Sequence, residues 1–506
     1  MKKYARLLSL VLAIMMVMAI FAACSNEDKP AETTTGTTTA ATTTATTPAS
    51  TEDPFDLSKT DSWDDAKWLE YEKSLDFGGA TFTLGTHQRA RRWPNEENPT
   101  EIDTKLAELI KGVEDDLNIN IALLEKWYSS EDYATMLVAG DNDCDIYDSR
   151  PANWIQFAAQ GSVFDWASAE AKGYGINVNN EKLFFQSWTH AFDINGHTYA
   201  VRYASEYYPP EAGWIMLYNE DILAANGYTN IEDMVRNNTW NWDTFLQMAK
   251  DCVKDIDGDG LYDTWGISTG YAGYGEEVVA GGGKIADWDD NGTKLVCKLQ
   301  DPASIAGLDF IYQMAHSGAV MPAVQGEMGN IGYGEGHTAF AQGEVAFLYT
   351  ELRIIANKAY SDEFHMRQME DTWGVLPVPV KAGEPYRDII GNHDTDMMLM
   401  SNKNREFSAK VYAAFARRQN DVNWKECVAE CYLQDPTDTN KADILANYVI
   451  PNHVANWQWI TSEMNDQYRT LCVFPLFDEN KTAAQVAEEA TPKLQGILDG
   501  VPEFQK

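Results

Sequence analysis

Ala80-Thr81-Phe82-Thr83-Leu84 and Ile119-Asn120-Ile121-Ala122-Leu123 both alternate in side-chain character, and between them Leu106, Leu109, Ile110, Val113 and Leu117 recur at helical spacing. Alternation at period two reads as a strand, and recurrence at period 3.6 as one face of a helix. The order is strand, helix, strand, with Gly78-Gly79 opening the unit. A helix over Tyr133 to Val138 then leads to a short strand over Cys144 to Tyr147. Strands alternating with helices predict a parallel sheet flanked by helices, an α/β architecture.

Downstream, Asp193-Ile194-Asn195-Gly196-His197 predicts a hairpin, with Asn195-Gly196 supplying a type I′ turn. Tyr199 to Tyr208 reads as extended and runs into Pro209-Pro210. A second αβ block opens with a strand over Trp214 to Tyr218, a helix from Asp221 to Ala225 stopped by Asn226-Gly227, and an amphipathic helix over Asp243 to Val253. Gly374 to Pro379 is extended and proline-bounded, which suits a crossover between lobes. Ala483 to Leu494 predicts a helix near the C-terminus, and no internal repeat is visible.

Upstream, Lys2, Lys3 and Arg6 precede a run without charge from Leu7 to Ala23, ending Phe21-Ala22-Ala23-Cys24. A basic start, an apolar run and small residues at its end make a secretory signal. The ending resembles a bacterial lipobox, with Phe21 where Leu is usual, which implies cleavage after residue 23 and lipidation of Cys24. A retained signal anchor is the other reading of this run. Ala31 to Ser50 is almost only Thr and Ala. Such a tract has no large apolar residue to offset its ordering entropy, so residues 24–76 are expected to form a flexible tether, with or without glycosylation. The protein is thus expected on the extracellular face of the cell membrane, lipid-anchored.

Of 506 residues, about 430 remain for folding, enough for two or three domains. A formal net charge of −38 repels phosphate backbones and argues against nucleic-acid binding. Beyond Cys24, the cysteines 144, 252, 297, 427, 431 and 472 match no compact disulfide framework, and buried free thiols are the expected state for several. Cys427 and Cys431 have a spacing suited to zinc, but no second Cys or His pair stands near them in sequence.

Four stretches carry a family resemblance. Tyr218-Asn219-Glu220-Asp221-Ile222-Leu223 with Asn226-Gly227, Thr239-Trp240-Asn241-Trp242-Asp243-Thr244-Phe245, Phe340-Ala341-Gln342-Gly343-Glu344-Val345-Ala346-Phe347, and Gly374 to Pro379 occur in that order. Together they resemble the extracellular solute-binding proteins of ABC importers, the sugar-binding group related to maltose-binding protein. The resemblance implies a two-lobed periplasmic-binding-protein fold of type II with discontinuous lobes and a ligand cleft between them. It places 77–200 and 386–422 in one lobe and 201–385 and 423–506 in the other. It further implies a monomer that catalyses nothing, captures a carbohydrate (an oligosaccharide, by its aromatic richness) and delivers it to an ABC permease. A secreted polysaccharide hydrolase and a surface adhesin or sensor are the competing readings.

Asp255-Ile256-Asp257-Gly258-Asp259-Gly260-Leu261-Tyr262-Asp263 is the sharpest local motif. With Asp255 as position 1, carboxylates fall at 1, 3, 5 and 9, Gly260 at 6, and the Leu261 carbonyl at 7, as in an EF-hand loop. Position 12 is Gly266, so the bidentate Glu is missing. Structural Ca2+ held by Asp255, Asp257, Asp259, Leu261 and Asp263 is one reading; an acidic turn without metal is the other. Gly266-Ile267-Ser268-Thr269-Gly270 fits a nucleophile elbow only by letter, because no helix pattern follows it.

Sugars offer apolar C–H faces and polar edges, so they are bound by aromatic stacking and by polar side chains. With 16 Trp and 24 Tyr in the chain, position must do the selecting, and the loops after strands face the crevice of an open α/β sheet. That rule selects Arg91, Trp93, Arg150, Trp154, Tyr271, Tyr274, Glu351 and Arg353. Tyr207, Tyr208, Asn392, His393 and Asp394 join them at the expected crossovers.

Overall fold

The computed structural model describes residues 55–205, 213–269, 275–322, 333–356, 366–391, 393–420, 424–478 and 481–504, and the chain from Leu57 onward forms one unit. Its strands are β1 (Ala80–Thr86), β2 (Ile119–Glu125), β3 (Ile146–Ser149), β4 (Trp214–Asn219), β5 (Trp265–Thr269), β6 (Ala286–Trp288), β7 (Leu295–Cys297), β8 (Val345–Glu351), β9 (Trp373–Pro377), β10 (Asp388–Ile390), β11 (Thr395–Met397) and β12 (His453–Ala455). They build two four-stranded sheets, β11-β3-β1-β2 and β5-β8-β4-β9.

In the first sheet β1 lies parallel to β2 and β3, with Leu84 opposite both Leu123 and Ile146. The crossover between β1 and β2 is the helix Glu101–Leu117, which buries Leu106, Ile110, Val113 and Leu117. Thr100 and Asp103 form a capping box at its start, and Asn118 closes it in the left-handed region at φ 49°. β11 then arrives antiparallel to β3 from far down the chain. In the second sheet β4 runs antiparallel to β8 and β9, while β5 is parallel to β8. Gly374 to Pro379 therefore begins inside this sheet, as β9 beside β4, before the chain turns toward β10. β10, which falls between β9 and β11 in sequence, pairs with the later β12, and β6 and β7 form a separate antiparallel pair.

The 193–197 hairpin forms as the sequence predicts: Ile194 and His197 pair, and Asn195 and Gly196 take φ of 55° and 80°. One boundary needs correction. The expected tether, 24–76, runs too far, because Leu57–Ser62 and Asp65–Ser74 are helical and belong to the folded unit. Trp63, Trp68 and Tyr71 pack edge to face there, and Glu72 is buried against Arg417 and Arg418 at 2.5–2.9 Å. This short segment carries enough aromatic surface to offset its ordering. The described cysteines 144, 252, 297, 431 and 472 are free thiols; Cys24 and the Cys427 side chain lie outside the described residues.

Candidate functional site

The carboxyl ends of β1, β2, β3 and β8 converge with the entry to β11, and the residues just beyond them form one cluster. Trp127, two residues past β2, is 46% exposed and carries His87 edge-on at 4.4 Å and the Arg150 guanidinium over its ring at 4.7 Å. Arg150 caps the helix Pro151–Ala159, whose proline start fixes the chain direction after β3. Asp394 gathers this side of the cluster: His87 Nε2 lies 3.7 Å away, Arg150 Nε 3.6 Å away, and Gln88 donates to it.

Facing them is the end of β8. Arg353 pairs with Glu351, and burial opposes the Glu351 charge while Arg353, His393 and Arg150 hold its pKa below the usual carboxylate value. Burial drives His393 down to about 3; Glu351 opposes this, and Arg353 and Arg150 add to it. The ring is therefore neutral at any physiological pH. The Gly391 N–H donates to His393 Nδ1 at 3.2 Å, so the proton sits on Nε2. Gly391 is required here: a Cβ would stand 2.1 Å from Trp459 Cδ1, so the indole lies flat against bare backbone.

Trp459 in turn borders Glu276, which is fully buried. Burial raises the Glu276 carboxyl to about 7, with neighbouring donors (the Trp459 indole and the Glu276 and Gly275 N–H groups) opposing and Glu351 adding to the rise. The adjoining Glu277 is raised to about 8 by burial and by Glu276.

The cluster carries unspent hydrogen-bonding capacity. Arg150 Nε, His393 Nε2 and Trp459 Nε1 on the donor side, and Asp394 Oδ1 and both Glu276 oxygens on the acceptor side, are buried with no hydrogen bond of good geometry among the described residues. Burying such groups unpaired costs roughly 1–3 kcal/mol each. A ligand with many hydroxyls matches a set of this kind.

Beneath the first-lobe edge lies a second buried polar group. Arg92 meets Asp396 at 2.8 and 3.1 Å and Asp148 at 3.1 Å, Arg202 reaches Asp148 at 3.4 Å, and Tyr203, Thr86 and Tyr412 complete the shell. Despite burial, Arg92, Arg202 and Thr86 hold Asp148 at about 2. These side chains are buried and touch no open space.

The structure brings Arg150, Glu351 and Arg353, selected as residues after strands, together with His393 and Asp394, selected at the expected crossover. Trp154 is a correction: it is fully buried, its indole donating to Thr395 at 3.2 Å, because its turn of helix faces the sheet. Trp93 is half-buried after the short helix Arg89–Arg92, and no described contact joins it to the cluster. The Arg91 side chain, Tyr207, Tyr208, Tyr271, Tyr274 and Asn392 lie outside the described residues. His87, Gln88, Trp127, Glu276 and Trp459 escaped the sequence reading. The first three follow strands, so the same rule applied to β2 as well as β1 finds them; nothing in the sequence marks the other two.

In the acidic loop, oxygens of Asp255, Asp257 and Asp263 lie within 4.8 Å of one another on an exposed turn. Asp259 falls outside that trio and accepts from the Leu261 N–H at 2.7 Å. The donor set is all oxygen, as calcium requires, and is three carboxylates strong.

Two four-stranded sheets, with one strand of the first supplied from after the strands of the second, decide the architecture. This is the two-lobed periplasmic-binding-protein fold. Solved structures with it include an ABC substrate-binding protein of Listeria monocytogenes in complex with cycloalternan (14% identity, 84% of this chain and 100% of that one, TM-score 0.53). UgpB of Mycobacterium tuberculosis in complex with glycerophosphocholine matches at 14% identity over 84% and 99%, TM-score 0.55. A binding protein of B. animalis subsp. lactis in complex with β-1,6-galactobiose matches at 14% over 83% and 98%, TM-score 0.52. No protein-family model matches the sequence, and no curated protein matches it. Among the described residues, no helix is long and apolar enough to cross a membrane.

Proposed function

We propose that this protein is the substrate-binding lipoprotein of an ABC importer, that it captures an oligosaccharide between its lobes, and that it catalyses no reaction. The observation that carries the reading is the convergence of buried, unpaired donors and acceptors beside the half-exposed Trp127 ring. A sugar supplies what they lack: a C–H face for the indole and hydroxyls that both donate and accept. Ligand that touches both lobes favours the closed form by its greater affinity for it. Solved neighbours in complex with cycloalternan and β-1,6-galactobiose support the carbohydrate class, while the neighbour with glycerophosphocholine marks the fold as open to other polar ligands.

In this reading Cys24 carries lipid, the Thr/Ala tract spaces the body from the membrane, and a permease receives the closed form. Ca2+ at Asp255, Asp257 and Asp263 stiffens the loop before β5 and has no part in ligand capture. Calorimetric titration of the detergent-solubilised full-length protein against glycan and peptide panels tests the central claim. Micromolar or tighter binding of an oligosaccharide is expected. Tight peptide binding with no sugar bound overturns the carbohydrate reading, and liberation of reducing sugar from a polymer overturns the non-catalytic one. Cys24→Ala is expected to leave a binding-competent protein that no longer partitions with membranes.

A further inference from the structure

We propose that a second pocket, apart from the Trp127 cluster, binds a compact oxyanion: a carboxylate or phosphate carried on a body the size of one sugar ring. This goes beyond the capture of a neutral saccharide and does not depend on it.

A cavity of about 330 Å³ lies among the end of the helix Gln186–Ala191, the segment from Val279 into β6, Arg387 before β10, and β12 with the residues after it. That volume is at the lower end of those that hold small-molecule ligands. The cavity shares no lining residue with the Trp127 cluster. Buried Trp188 meets His393 of the cluster at 5.6 Å and His453 of the cavity wall at 5.0 Å, so a packed indole lies where the two approach.

On a chain of formal net charge −38, this one hollow is lined by Lys284, Arg387 and His190. Lys284 Nζ reaches Asp287 at 2.6 Å, and the Arg387 guanidinium reaches the Val279 carbonyl at 3.2 Å and Glu384 at 2.8 Å. Each cation keeps N–H groups to spare. His190 donates its Nδ1–H to Asp193 at 2.7 Å and leaves Nε2 without a partner; the Trp288 indole N–H has none either. The bond to Asp193 raises the His190 pKa against the opposing effect of burial, which favours the ring with an N–H on both nitrogens.

The carboxylates beside these donors are already engaged. Asp193 accepts from His190 on one oxygen and from Thr198 on the other, Asp287 accepts from Lys284, and Glu384 from Arg387. A hydroxyl brings a hydrogen that must find an acceptor, whereas a carboxylate or phosphate brings acceptors only. Surplus charged donors beside spent acceptors therefore select an oxyanion. Trp288 and Trp457, edge to face at 5.5 Å, add an apolar corner that one ring-sized body covers.

The test is calorimetry of the detergent-solubilised full-length protein with D-galacturonate and with D-glucose 6-phosphate, each against its neutral parent sugar. At least one acid is expected to bind at submillimolar concentration, and its parent about tenfold or more weaker. Lys284→Gln and Arg387→Gln should each weaken the acid about tenfold, while Trp127→Ala leaves it unchanged. The Trp288 indole 1H–15N resonance, assigned with Trp288→Phe, should move on saturation. Binding of galacturonate alone supports the pocket and makes its ligand a carboxylate; binding of glucose 6-phosphate alone supports it and makes the ligand a phosphate. Parent sugars binding as tightly as their acids, or no binding of either acid, overturns the proposal. Loss of acid binding in Trp127→Ala with retention in both other variants places the acid in the cluster and also overturns it. Should Arg387→Gln not fold, Lys284→Gln decides, because that side chain is 56% exposed. Capture of neutral oligosaccharide is decided separately, by the glycan panel.

Discussion

Arg92 and Asp396, 304 residues apart in the chain, form a two-pronged ion pair at 2.8 and 3.1 Å with no exposed side-chain surface on either. Removing one partner strands the other charge, which typically costs about 3–5 kcal/mol. Asp396→Ala is therefore expected to lower unfolding free energy by that amount in urea titrations. The Asp148 carboxyl beside them sits at about 2, below its unfolded value, so its share of stability is present above pH 4 and is lost as pH falls toward 2.

The N-terminal segment gives a second outcome. A chain beginning at Phe77 loses Glu72, and Arg417 and Arg418 lose the carboxylate that both contact. It also loses the packed surfaces of Trp63, Trp68 and Tyr71. Compared with a chain beginning at Leu57, it should be less stable by about 3 kcal/mol or more in denaturant melts.

Trp127 separates binding from folding. It is too exposed to contribute much to the core, so Trp127→Ala should shift stability by no more than about 1 kcal/mol. Loss of a stacking face should weaken saccharide affinity by about tenfold or more in calorimetry. A variant that binds as well as wild type removes this ring from the site.

Glu277 makes the protein less stable toward alkaline pH. Its folded pKa of about 8 lies above the unfolded value, so the folded state holds an extra proton between about pH 4.5 and 8. Stability falls as pH rises through that window. Glu277 borders a cavity of about 10 Å³ among Met216, Phe245, Phe310 and Met314, surroundings that give a charge no compensation. Glu277→Gln should flatten the slope and be more stable than wild type at pH 8, by up to about 4 kcal/mol, in thermal or urea unfolding.

The acidic loop offers a ligand-free readout. If three carboxylates bind Ca2+, millimolar calcium should raise the melting temperature, chelator should lower it, and Asp263→Asn should abolish the difference.

The α/β order was legible because the helix from Glu101 to Leu117 and its two flanking strands have undiluted periodicity and a capping box in plain sight. The 193–197 turn was legible because Asn-Gly is among the few pairs that take two positive φ values cheaply. That Arg150 and Glu351 would lie near one another was legible from the strand-end rule, and His393 and Asp394 from the expected crossover. Trp154 misled because the rule selects a loop and not a helix face: one turn into its helix the side chain already points at the sheet. Glu276 and Trp459 were invisible for another reason. Their nearness to the cluster rests on Trp459 against Gly391 and on the Glu351 charge acting on Glu276, across long stretches of chain, and no local pattern encodes that.

The late arrival of β11 is also a matter of timing. Thr395 bonds the Ser149 carbonyl across 246 positions, so the first sheet lacks its fourth strand until the chain has been made nearly to residue 400. Until then Arg92 and Arg202 share a single aspartate, and a loop of that length must close before the second can join them. The first lobe can nucleate early but cannot finish early. In the proposed reading, with residues 1–23 directing the chain across a membrane, a first sheet completed only at residues 395–397 keeps the chain threadable until roughly its last quarter.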